Sequence, residues 1–129
     1  MKFAFVIADP DSRQIDAAEA ALFRLGAEMP IERREVPGTS ETVLACRCIA
    51  ELTEIDAVIV FLPEDENQLV MAAALEGLTE VVLDWNMPIV TSLSYKKGAK
   101  MAEAAAQMVE MQIEMEDAAA RNTLDTSVN

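Results

Sequence analysis

The chain has no histidine among its 129 residues, so the commonest proton shuttle at neutral pH and the commonest transition-metal ligand are both missing. It has only two cysteines, Cys46 and Cys48. They stand two positions apart in a helical pattern, which turns their side chains about 200° away from each other and excludes a comfortable bridge. They read as one core thiol and one partly covered thiol. Positive charge is scarce: ten Lys and Arg face 23 Asp and Glu, a formal net charge of −13. Such a surface repels nucleic acid and anionic membrane, and neither is expected as a partner. No apolar run approaches the ~20 residues of a membrane span. The amino terminus passes straight into a strand-like run without a signal-peptide pattern, so a cytoplasmic location is expected.

Apolar residues are plentiful instead, at 52% of the sequence, and mean hydropathy is +0.17. That composition excludes disorder for most of the chain and offers more apolar surface than a 14.1 kDa monomer needs to bury, which points to a homo-oligomer. The length fits one domain, expected over residues 1–120, with 121–129 as a frayed C-terminal tail.

Strand and helix patterns alternate. The run Phe3–Ala8 is a buried strand that ends in the turn cluster Asp9-Pro10-Asp11-Ser12. From about Arg13 to Leu25, Ile15, Ala18, Leu22 and Leu25 recur at helical spacing, and Gly26 follows as a left-handed terminus. Ile31–Val36 reads as a polar edge strand. Pro37 and Gly38 then bend the chain, and Ser40 is placed to cap a helix over Glu41–Leu52 that turns Val43, Leu44, Cys46 or Arg47, and Ile49 toward the sheet. Asp56–Leu62 is the most apolar strand, the mark of a central strand covered on both faces. A helix over Gln68–Val82, a strand over Met87–Leu93 and a helix over Lys97–Ala119 complete the order. On the last helix Met101, Ala105, Met108, Met111 and Met115 form one stripe, read as core or subunit contact. The alternation implies a three-layer α/β/α sandwich around a four-stranded parallel sheet with right-handed crossovers.

Ligands of such sheets bind beyond the carboxyl ends of the strands. Four segments reach that end: Asp9–Arg13, Pro37–Thr42, Leu62–Gln68 and Thr91–Lys97. Glu64, Asp65 and Glu66 could ligate magnesium or calcium, but a solvated acidic helix start explains them more cheaply, and no metal is expected. Asp9 and Asp11 are similar to the acidic pair of receiver domains, although Phe61-Leu62-Pro63 occupies the place of the receiver's phosphorylated aspartate.

The segments Val36-Pro-Gly-Thr-Ser-Glu41 and Leu44-Ala-Cys-Arg-Cys-Ile-Ala-Glu51, then Asp56-Ala-Val-Ile-Val60, Glu76-Gly77-Leu78, Met87-Pro-Ile-Val90, Gly98-Ala-Lys-Met-Ala-Glu-Ala-Ala105 and Val109-Glu-Met111, occur in the order and nearly the spacing of one family. Over roughly residues 3 to 112 the chain resembles the lumazine synthases, whose fold has flavodoxin-like topology. Those enzymes condense a ribitylamino-pyrimidinedione with 3,4-dihydroxy-2-butanone 4-phosphate, giving 6,7-dimethyl-8-ribityllumazine for riboflavin biosynthesis. They use no cofactor and share their sites between neighbours in a pentamer or a multiple of it.

The resemblance implies that Gly38, Thr39, Ser40 and Glu41 hold the ribityl chain and pyrimidine, with Pro10 and Asp11 from the first loop, Thr91 from the fourth strand tip and Lys100 around them. Pro10 and Asp11 stand where the family has an aromatic residue and an asparagine, and Ser40 replaces an aromatic. Only Pro63-Glu-Asp-Glu-Asn67 stands where the family has a glycine-rich phosphate loop and a catalytic histidine. The family's phosphate-binding arginine falls in a gap between Tyr95 and Gly98. Two roles follow as expectations: a lumazine synthase-type transferase or, as the alternative, a non-catalytic homologue serving as a flavin- or lumazine-binding or structural ring subunit.

Overall fold

The computed structural model describes the backbone of residues 1–128 and the side chains of residues 1–122. Four strands and four helices alternate: β1 (Phe3–Ile7), α1 (Gln14–Arg24), β2 (Glu32–Glu35), α2 (Glu41–Leu52), β3 (Ala57–Phe61), α3 (Gln68–Trp85), β4 (Ile89–Thr91) and α4 (Gly98–Val128). All strand pairs are parallel, in the spatial order β2-β1-β3-β4. The chain is therefore an α/β protein with the strand order of a flavodoxin-like sheet, which reverses direction between β1 and β3.

Each central strand is buried along its whole length because both faces of the sheet are covered. Alternate residues go to opposite layers. Phe3, Phe5, Ile7, Ile59 and Phe61 pack with α1 and α4, while Ala4, Val6, Val58 and Val60 pack with α2 and α3. The rings of Phe5 and Phe61, diagonal neighbours on adjacent strands, meet edge to face with centroids 5.1 Å apart. At the polar edge strand, the Arg33 guanidinium lies 5.8 Å from the centre of the Phe5 ring and bonds Glu19 at 2.8 Å, covering a margin that would otherwise be open.

Several sequence expectations change in detail. Leu44 points outward and is 67% exposed, and the inward face of α2 is Thr42, Cys46 and Ile49. Burying Thr42 costs little because its hydroxyl donates to the Thr39 carbonyl at 2.6 Å. Ser40 makes no side-chain cap; the first turn of α2 is closed by backbone bonds from Glu41 to Gly38 and from Thr42 to Thr39. The methionine stripe splits: Met101 and Ala105 are buried, whereas Met108, Met111 and Met115 are exposed. β4 is shorter than expected at both ends: Pro88 has no amide for the sheet ladder, and past Thr91 the chain turns, with the Ser94 and Tyr95 amides bonding the Thr91 carbonyl. α3 runs on to Trp85, where Asn86 takes the left-handed conformation (φ 51°). α4 continues past Ala119 to Val128, helped by Ala118–Ala120, so the expected frayed tail is helical backbone to Val128; Asn129 lies outside the described residues. Among the described residues no helix is long and apolar enough to cross a membrane.

Candidate functional site

The tips of β1, β3 and β4 enclose a cleft of about 250 Å³. The sheet register creates it. Backbone amides of Ala8 and Asp9 bond the Phe61 carbonyl, which holds the first loop against the end of β3. On the other side, the Ser92 hydroxyl accepts the Leu62 amide at 2.8 Å and locks the end of β4 to the same strand. Leu62, Pro63, Met71 and Leu93 give the cleft an apolar floor, while Ser12, Gln14 and Ser92 supply hydroxyl and amide groups. Its charged walls are Asp9 and Glu64 against one cation, Lys96. Among the described residues, no group of three or more Cys, Asp or Glu side chains is arranged to hold a metal ion.

The bend after β2 is a second part of the same end of the sheet. Glu41 folds its carboxylate back over Gly38: a β-carbon built there would sit 3.6 Å from Oε2. Ser40 and Glu41 are exposed, but Thr39 is only 2% exposed and its hydroxyl donates to Glu66 Oε2 at 2.7 Å. That bond ties the bend to the β3–α3 loop, whose Glu64 lines the cleft.

The residues expected from the sequence thus fall into separate places. Gly38, Thr39, Ser40 and Glu41 stay together at the bend. Pro10 and Asp11 are exposed on the first loop, whose Asp9 and Ser12 line the cleft in their stead. Thr91 is buried at 7% exposure; it accepts a bond from the Ser94 amide and lines a groove of about 320 Å³ along the open side of β4, between α3 and α4. Lys100 is exposed on the first turn of α4 and pairs with Glu103 at 3.3 Å. Sequence reasoning missed Ser92 and Lys96 as site residues. Their signal was position alone, since both lie in the segment Thr91–Lys97 that follows the last strand, Ser92 directly after it and Lys96 beyond the next turn.

Cys46 is the core thiol expected, but Cys48 is exposed rather than partly covered. Cys46 is wholly enclosed, and loss of solvation pushes its thiol up to about 12, whereas Cys48 is exposed.

An open parallel sheet whose direction switches between β1 and β3, with a half-apolar, half-polar cleft at the strand tips, defines a flavodoxin-like α/β domain. The profile of the family described as 6,7-dimethyl-8-ribityllumazine synthase matches residues 2–113, and the chain belongs to that family. Comparison with curated proteins finds no significant match.

Proposed function

We propose that the chain acts in riboflavin biosynthesis by binding a ribityl-bearing pyrimidine or lumazine at the strand tips of a cytoplasmic homo-oligomer. Membership of the family supports the pathway. The observation that carries the ligand class is the cleft's composition: an apolar floor suited to a heterocycle beside hydroxyl, amide and carboxylate groups suited to a polyol. Exposed Ser40 and Glu41, with Gly38 beneath the carboxylate, extend those polar groups along the bend, and Pro10 and Asp11 border the first loop. The bend and the cleft are both open to solvent, so a neighbouring subunit is the natural lid. Five chains of 14.1 kDa would form a ring of about 70 kDa.

A second reading, the condensation of the ribitylamino-pyrimidinedione with 3,4-dihydroxy-2-butanone 4-phosphate, is favoured by the length of the family match. The product carries no phosphate, so that reaction must expel it, and a departing dianion calls for nearby cations. Lys96 is the one cation on the cleft wall, opposed by Asp9 and Glu64, and the sequence has no histidine to move the proton. The geometry therefore supports binding over turnover. Mixing the two substrates with the protein and following lumazine fluorescence tests this: riboflavin or lumazine should bind without product forming, and catalytic turnover would move the conclusion to the second reading.

A further inference from the structure

We infer that the outer half of α4 is a docking surface for a cationic amphipathic helix of another protein. The family match ends at residue 113, whereas α4 runs on to Val128, so this half of the helix is an addition to the shared domain. The inner half is accounted for by the core: Met101, Ala102, Ala105, Ala106 and Val109 are buried against the sheet and α1. Met108, Met111 and Met115 recur at three- and four-residue spacing on another side of the helix and are 41%, 40% and 63% exposed. Beyond Gln112, whose side-chain amide donates to the Asn86 carbonyl at the end of α3, every described residue to Asn122 except Ala118 is exposed. The stripe is thus anchored at its base, and it continues the groove along the open side of β4 that Met108 lines with Tyr95 and Val82.

Charge decides what covers it. Between residues 110 and 121 stand four carboxylates, Glu110, Glu114, Glu116 and Asp117, against the single cation Arg121. Among the described residues none of these five side chains forms an ion pair within the chain. Helical geometry sets Glu114 and Glu116 about 100° to either side of Met115, so the apolar stripe has an acidic border on both flanks. A second copy of α4 would bring like charges together along its length, and an anionic bilayer would be repelled. A helix with Lys and Arg beside its own apolar stripe pairs with this border while it covers the methionines, whose unbranched side chains adapt to the partner's shape.

The test uses the full chain with methyl-labelled methionine and a synthetic peptide of about 14 residues, roughly four helical turns, with leucines on one face and lysines on the other. The same residues in scrambled order are the control. The amphipathic peptide should shift the Met108, Met111 and Met115 methyl signals, leave those of buried Met87 and Met101 in place, and bind at least about tenfold more tightly than the scrambled one. Met111→Ser with Met115→Ser, and separately Glu114→Gln with Glu116→Gln, should each weaken binding by about tenfold at low salt with unchanged circular dichroism. Failure of the amphipathic peptide to bind, equal binding of the scrambled peptide, unmoved signals from the three methionines, or unchanged affinity in either variant overturns the inference. If the serine variant instead halves the mass of the native assembly in light scattering, a second copy covers the stripe and the inference falls.

Discussion

Gly98, the first residue of α4, lies against the backbone of α1 so closely that a β-carbon at this position would come within 2.6 Å of the Ala18 amide nitrogen. The same residue donates its own amide to the Gln14 side chain at 2.7 Å, so the starts of α4 and α1 are joined by contact and by a hydrogen bond. Gly98→Ala should therefore destabilise the fold by about 1–3 kcal/mol, since backbone on the α1 side cannot yield as a flexible side chain can. Urea unfolding followed by circular dichroism measures this. A midpoint equal to that of the native protein would show that the two helices have room to spare.

That contact also shows what the sequence disclosed and what it withheld. Gly98 was visible as part of a family-like segment, but nothing in its local pattern announced Ala18 as its neighbour, because the approach depends on how two helices cross. The strands were legible where burial on both faces left a continuous apolar run, as in Phe3–Ile7 and Ala57–Phe61. Periodicity failed where apolar residues are not buried. Leu44 fits the helical stripe of α2 and yet faces outward, and Met108, Met111 and Met115 continue the stripe of Met101 yet are exposed, Met108 even though its neighbour Val109 is buried in the core. The cleft was half legible: the strand-tip rule located it, but Ser92 and Lys96 reach it only through the register of β3 with β4 and the turn that follows.

The two cysteines separate cleanly by reactivity. In the folded protein a thiol reagent at pH 8 should modify Cys48 and spare Cys46, giving one equivalent, and two after denaturation. Burial also gives Cys46 a pH signature. Its folded value, about 12, stands above the ordinary 9.0, so its contribution to stability is complete below pH 9 and is lost as pH rises from 9 toward 12, when the unfolded chain releases the proton more readily. Cys46→Ala should lower stability at neutral pH through the cavity it leaves, and flatten the alkaline decline. Denaturation midpoints at pH 7.5 and 10 for the two proteins give the comparison; an equal decline in both would remove Cys46 as its source.

Glu41 offers a separation of binding from folding. Its carboxylate is exposed and lies over Gly38, and its service to the fold is limited to its place in the first turn of α2. Glu41→Ala should change stability by less than about 1 kcal/mol. Affinity for riboflavin or lumazine should fall by about tenfold, the loss of one charge-assisted hydrogen bond to a ribityl hydroxyl. Isothermal titration beside thermal unfolding reads both quantities, and undiminished affinity would take the bend out of the ligand site.

Assembly is the remaining question that the isolated chain raises physically. Leu44 and Leu52 on α2 are 67% and 75% exposed, and Leu69 and Leu83 on the adjoining α3 are 81% and 72% exposed, on a molecule whose charge of −13 already disfavours chance association. Leucines left in water on two neighbouring helices contribute nothing to the single chain, but each could release about 1.5–3 kcal/mol if a second copy covered it. Light scattering should accordingly give a mass several times 14.1 kDa, about 70 kDa for a pentamer. Leu69→Asp should reduce that mass toward the monomer while far-ultraviolet circular dichroism stays unchanged, because the side chain has no burial to lose within its own subunit. If the variant keeps the native mass, the outer face of α3 at Leu69 is not part of the contact. If the native protein itself runs as a monomer, no neighbouring subunit closes the open cleft, and the ligand site must be complete within one chain.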